Sequence, residues 1–124
     1  MTISVLLLTL NEENNLPSFF NSLKWCDDVV VLDSFSKDDT IKIAKEHNAR
    51  VYQRKFDNFA DQRNYALENV SFKYDWILHL DADEIVTSKL LELIIKSIKQ
   101  SKFEAFKIPS KMMFFGKWLR HSGM

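Results

Sequence analysis

The sequence predicts an α/β domain in three layers, a mostly parallel sheet with helices packed on both faces. Short β-branched apolar runs alternate with longer amphipathic stretches, and each run ends in a polar or acidic cluster. Parallel strands need long crossovers, and helices supply them. Ligands of such sheets bind outside the carboxyl ends of the strands, so those clusters are where chemistry is expected.

The first apolar run, Ile3–Leu10, is too short to span a bilayer, lacks the basic flank of a signal peptide and runs straight into Asn11-Glu12-Glu13. It reads as a buried strand over Ser4–Thr9. A helix over Asn15–Leu23 follows, with Pro17 tolerated in its opening turn. The second strand is Val29–Asp33, and the next helix, Asp39–His47, starts under an Asp cap and buries Ile41, Ile43 and Ala44. Asn48 takes the left-handed position that ends it. A strand over Val51–Arg54, a helix over Phe59–Asn69 and a strand over Trp76–Leu80 continue the alternation. The last helix, Ser88–Gln100, is capped by Thr87 or Ser88 and repeats Leu90, Leu91, Ile94, Ile95 and Ile98 at helical spacing. Past Phe103 the pattern is irregular, with one short strand over Glu104–Ile108 and no closing element.

A chain of 124 residues with 46% apolar content is the size of one globular unit. Its 17 basic and 17 acidic residues cancel, which argues against an electrostatic grip on nucleic acid. Cys26 stands alone, so it makes no internal disulfide or metal knuckle and fits a reducing cytoplasm. The tail from Phe103 to Met124 sets Phe106, Met112, Met113, Phe114, Phe115 and Trp118 among basic residues. It reads either as more core or as a peripheral membrane contact. Gly116 and Gly123 are the only glycines, which excludes a Gly-rich dinucleotide turn and a phosphate loop.

Four clusters follow the four strands: Thr9-Leu10-Asn11-Glu12, Asp33-Ser34, Arg54-Lys55 and Asp81-Ala82-Asp83-Glu84. In a parallel sheet all four face one rim. An acid at the end of a buried strand must be solvated, paired or bound to something. Asp81 and Asp83 present hard oxygen donors that suit Mg²⁺ or Mn²⁺, and magnesium takes only one or two carboxylates beside water and phosphate oxygens. The same acids also suit a helix cap or a solvated turn.

The segments Ser4–Glu13 (SVLLLTLNEE), Val30–Thr40 (VVLDSFSKDDT), Gln62–Leu67 (QRNYAL) and Trp76–Glu84 (WILHLDADE) occur in the order and separation found in family 2 glycosyltransferases, which the chain resembles. Trp25–Asp28 (WCDD) and Gly116–His121 (GKWLRH) are similar to the branch that glucosylates lipopolysaccharide or lipooligosaccharide core. The resemblance implies a GT-A, Rossmann-like fold in which residues 1–124 form the nucleotide-sugar-binding N-terminal part, truncated before the acceptor-binding part. It implies that Thr9, Leu10, Asn11 and Glu12 cradle the nucleoside, that Asp33 bonds the uracil, and that Arg63 lies near the diphosphate. It places Asp81 near the ribose or the metal, counts Ala82 among the nucleotide-sugar-binding residues, and makes Asp83 the direct metal ligand. Other roles stay open: Asn11 and Glu12 also suit a helix start, Asp33 a cap for the turn Ser34–Lys37, and Arg63 a surface ion pair. Glu84 suits either an outer position around the metal or the start of the last helix.

The implied partners are a UDP-sugar donor, carrying a hexose such as glucose, and a glycan or glycolipid acceptor at the inner face of the cell membrane. Transfer with inversion needs a general base, and no residue here matches one; His121 reads as a surface group. A nucleotide-sugar-binding module without transfer is therefore a rival reading. Phosphatases that use Asp-x-Asp place it after the first strand with a threonine two residues on, whereas Glu84-Ile85-Val86 follows here. A receiver-like domain matches by fold alone.

Overall fold

The computed structural model describes residues 3–100, 105–107 and 113–115. Along the chain run β1 (Ile3–Thr9), α1 (Leu16–Asn21), β2 (Val29–Asp33), α2 (Thr40–Glu46), β3 (Arg50–Gln53), α3 (Phe59–Asn69), β4 (Trp76–Leu80), α4 (Ser88–Gln100), β5 (Ala105–Lys107) and β6 (Met113–Phe115). They form a six-stranded sheet in the order β3-β2-β1-β4-β6-β5. The first four strands are parallel, and β6 and β5 are antiparallel additions beside β4.

The period-two alternation of the strands sorts side chains between two cores. Ile3, Val5 and Leu7 of β1 join Leu78 and Leu80 of β4 under Leu16, Phe19, Phe20, Ala44 and Ile94, so α1, α2 and α4 cover one face. Leu6, Val30, Leu32 and Ile77 point the other way, against Ala66, Val70 and Phe72 at α3. The three-layer α/β fold expected from the sequence is therefore the one observed. Truncating a fully buried leucine such as Leu7 to alanine costs about 2–5 kcal/mol in cores of this kind.

Several boundaries and caps differ from expectation. The first helix stops at Asn21, and Asn15 at its start makes no side-chain cap bond. Asp39 occupies the N-cap of α2 without capping it; the neighbouring Asp38 carboxylate accepts from the backbone N–H and hydroxyl of Thr40 instead. Of the residues α2 was expected to bury, Ala44 is fully enclosed while Ile41 and Ile43 are half-buried. Strand β3 begins one residue early, at Arg50. Asn48 has φ 63°, the left-handed terminus expected of it. The short strand after Phe103 is β5, and β6 is the closing element that the sequence did not announce. The tail motif Gly116–His121 lies outside the described residues.

The amino ends of the strands are tied by Asp28, which is buried and accepts from Ser4 Oγ, from the Lys73 N–H at 2.8 Å and from Arg50 at 2.8 Å. This joins β1, β2, β3 and the lead into β4 at the end opposite the clusters. Beside it burial pushes the Cys26 thiol up to about 11, which leaves it unreactive near neutrality. Among the described residues no helix is long and apolar enough to cross a membrane.

Candidate functional site

Register decides what meets at the carboxyl rim. Because Leu7 pairs with Leu80 and Thr9 with Asp33, the Asp81–Asp83 turn emerges beside Leu8–Leu10 on one flank while Ser34 emerges on the other. Strand β1 passes the chain to β2 on one side and has β4 on the other, so this is the point where strand order reverses. Crevices form there in open α/β sheets.

The loops leaving β1 and β2 are stitched together. Asn11, at φ 55°, donates its N–H to Ser36 Oγ at 2.7 Å and accepts from the Lys37 N–H at 2.8 Å. The Glu12 N–H reaches Thr40 Oγ1 at 2.8 Å, and Glu13 both donates to Asp38 and accepts from Asp39. Asp33 is fully buried; its carboxylate accepts from Thr9 Oγ1 at 2.7 Å and from the backbone N–H and hydroxyl of Ser36. These bonds hold Phe35 at φ 61°, a left-handed conformation costly for a bulky side chain.

Between the rims opens a cleft of about 400 Å³ lined by Leu8, Thr9, Leu10, Glu12, Asn15, Ser34, Phe56, Phe59, Asp81, Ala82 and Asp83. Three carboxylates share it. Burial raises the Glu12 carboxyl above its ordinary value; a bond from Asn15 opposes this, and the fields of Asp83 and Asp81 add to it. Negative charge of this density favours a cation. Among the described residues no three acids, histidines or cysteines are gathered tightly enough to hold a metal alone. A lining of this kind would suit a hard divalent ion held by one or two carboxylates and completed by phosphate oxygens or water.

The turn carrying the acids is braced by Glu84. Its carboxylate accepts from the Asp81 N–H at 2.9 Å, and its own N–H donates to the Asp81 carbonyl at 3.0 Å. That bracing bond supports the turn.

Of the residues singled out from sequence, Thr9, Leu10, Glu12, Asp81, Ala82 and Asp83 line the cleft together. Asn11, Asp33 and Arg63 are not among its lining residues. Asn11 ties the loop after β1 to Ser36 and Lys37, and Asp33 caps the Ser34–Lys37 turn. Arg63 sits on α3, where its field adds to the burial that depresses the His79 imidazole of β4. Gln62, which the sequence marks only as the start of the QRNYAL segment and to which it assigns no role, is fully buried, accepts from Arg54 at 2.7 Å and donates to Ser34 Oγ at 3.0 Å. Sequence reasoning missed Phe56 and Phe59, whose only signal was aromatic character in a polar loop and at the first position of the helix that follows it.

The chain matches the Glycosyl transferase family 2 model over residues 4–123. It is 35% identical over 118 residues to an uncharacterised glycosyltransferase of Rickettsia typhi, covering 92% of this chain and 40% of that protein. It is 30% identical over 99 residues to the lipopolysaccharide core biosynthesis glycosyltransferase LpsC of Rhizobium meliloti, covering 76% of this chain and 36% of that one. The chain thus spans about 40% of the length of the first curated relatives it matches. Among solved structures, TarS 1–349 of S. aureus superposes with a TM-score of 0.75 at 20% identity, over 98% of this chain and 49% of that one. Glucosyl-3-phosphoglycerate synthase of Mycobacterium tuberculosis, solved with Mn²⁺, UDP and glucosyl-3-phosphoglycerate, gives 0.74 at 21% identity over 95% and 57%. The fold is that of the GT-A glycosyltransferases, and the family match extends through the acidic turn: this chain belongs to glycosyl transferase family 2.

Proposed function

We propose that these residues form the donor-binding part of a metal-dependent glycosyltransferase that moves a hexose from a UDP-sugar to a glycan or glycolipid acceptor with inversion. The observation that carries this reading is the meeting of Glu12, Asp81 and Asp83 with Thr9, Leu10 and Ser34 in one cleft at the reversal of strand order. A polyanionic diphosphate needs cations, and a carboxylate cluster recruits them. Asp83, with Asp81 beside it, would hold Mg²⁺ or Mn²⁺, and the ion would supply the positive charge that a departing nucleoside diphosphate requires. Thr9, Leu10 and Ala82 seat the nucleoside, Asn11 and Asp33 shape that seat from behind, and Arg63 adds positive field from α3.

Glucose as the sugar, lipopolysaccharide core as the acceptor and a cytoplasmic site at the inner membrane face complete the proposal. The name of LpsC supports the acceptor class. The TarS structure bound to UDP-GlcNAc and the synthase bound to Mn²⁺ and UDP support a uridine nucleotide and a divalent ion. Calorimetric titration of UDP, with Mn²⁺ and with EDTA, tests the core of it. Binding that requires Mn²⁺ and disappears in Asp83→Ala is the expected result; a folded protein that ignores UDP under both conditions overturns the reading.

A further inference from the structure

Phe56 and Phe59 lie side by side at the cleft with ring centroids 5.1 Å apart and planes at 70°, and they are 41% and 67% exposed. Aromatic rings left this open are informative when they line a concave site. They do not project from a slack loop. Arg54 grips Asp57 through two bonds of 2.9 and 3.1 Å, and Asp57 accepts from the Asn58 N–H. Asn58 then caps α3 by accepting from the Asp61 N–H at 2.8 Å, which fixes Phe59 as the first helical residue. Both rings are thus held out in advance of any ligand.

The rest of the cleft says what they face. The rings follow β3 and the acids follow β4, and these strands stand three positions apart in the sheet, a span of about 14 Å at the usual strand spacing. A ligand that suits both ends is flat and apolar at one and polyanionic at the other. The Asp33 carboxylate is buried and engaged by Thr9 and Ser36, so it does not offer a flat ring its edge, whereas Ser34 does line the cleft. Resting on the donor-site reading above, we infer that Phe56 and Phe59 form the stacking platform for the nucleobase, with Ser34 at its edge.

The test is calorimetry on the intact protein with Mn²⁺ throughout, comparing UDP with inorganic pyrophosphate across wild type, Phe56→Ala, Phe59→Ala and Phe59→Trp. Stacking on an aromatic side chain predicts that Phe59→Ala weakens UDP about tenfold and Phe56→Ala weakens it measurably, while pyrophosphate binds as before and Phe59→Trp retains UDP. Unchanged UDP affinity in both alanine variants overturns the platform and leaves the metal and phosphate site standing. Parallel loss of pyrophosphate overturns it as well, by showing that the rings only shape the fold. If UDP fails to bind the wild type, the platform and the donor-site reading fall together.

Discussion

Thr9 and Asp33 are register partners at the last positions of two adjacent parallel strands, and the threonine hydroxyl donates to the aspartate at 2.7 Å. The pair locks the two rim loops at a common level, because Asp33 also holds the Ser36 N–H and hydroxyl. Replacing Asp33 by asparagine turns one acceptor into a donor facing other donors, at a fully buried position. Asp33→Asn is expected to lower stability by about 2 kcal/mol and Thr9→Val by about 1 kcal/mol, since Ser36 still satisfies the carboxylate in the latter. Urea unfolding of the two variants checks the order.

Gln62 has no exposed surface, and its amide bridges two rim segments, from Arg54 after β3 to Ser34 after β2. Truncation strands those groups. Gln62→Ala is expected to destabilise the fold by about 2–3 kcal/mol, and because Ser34 then loses its anchor, UDP binding weakens as well. Equal UDP affinity in a folded Gln62→Ala protein would separate this bridge from the cleft.

Legibility in the sequence followed the range of the interactions involved. Strands β1, β2 and β4 were readable because apolar runs announce burial, and α4 because its leucines and isoleucines recur at helical spacing. The acidic turn was readable because it directly follows a strand. Helix α3 was found although Gln62 and Ala66 are its buried residues, which gives it little apolar stripe to follow. Adjacent acids defeat local reasoning: Asp38 and Asp39 carry the same capping signal, and only backbone geometry selects Asp38. Strand β6 exists through pairing with β4 and β5, so nothing within its three residues announces it. The inward turn of Asp33 likewise depends on Thr9, 24 residues away.

His79 gives the fold a pH dependence whose sign can be worked out. Burial first, and then the field of Arg63, lower its pKa from 6.5 to about 4. The unfolded chain takes up this proton near pH 6.5, while the folded chain resists until about pH 4, so across that window the unfolded state binds more protons. Stability therefore falls as pH drops from 6.5 to 4, by roughly 3 kcal/mol from this residue alone, and is flat above 6.5. Unfolding curves at pH 7 and pH 4.5 should show the slope in wild type and its loss in His79→Leu.

Glu84 separates two accounts of the acidic turn. If its carboxylate serves the metal, Glu84→Gln and Glu84→Ala should cut Mn²⁺-dependent UDP binding alike, because an amide is a poor substitute for a charged ligand. If it serves the backbone, as its 2.9 Å bond from the Asp81 N–H indicates, glutamine keeps a carbonyl acceptor in the same place and only alanine does damage. The expected result is the second. Glu84→Gln should bind UDP with Mn²⁺ as wild type does. Glu84→Ala should lose about 1 kcal/mol of stability and weaken UDP several-fold, since a loosened turn no longer holds Asp81 and Asp83 at the spacing the ion requires. Calorimetry and urea unfolding on the same two variants read both quantities.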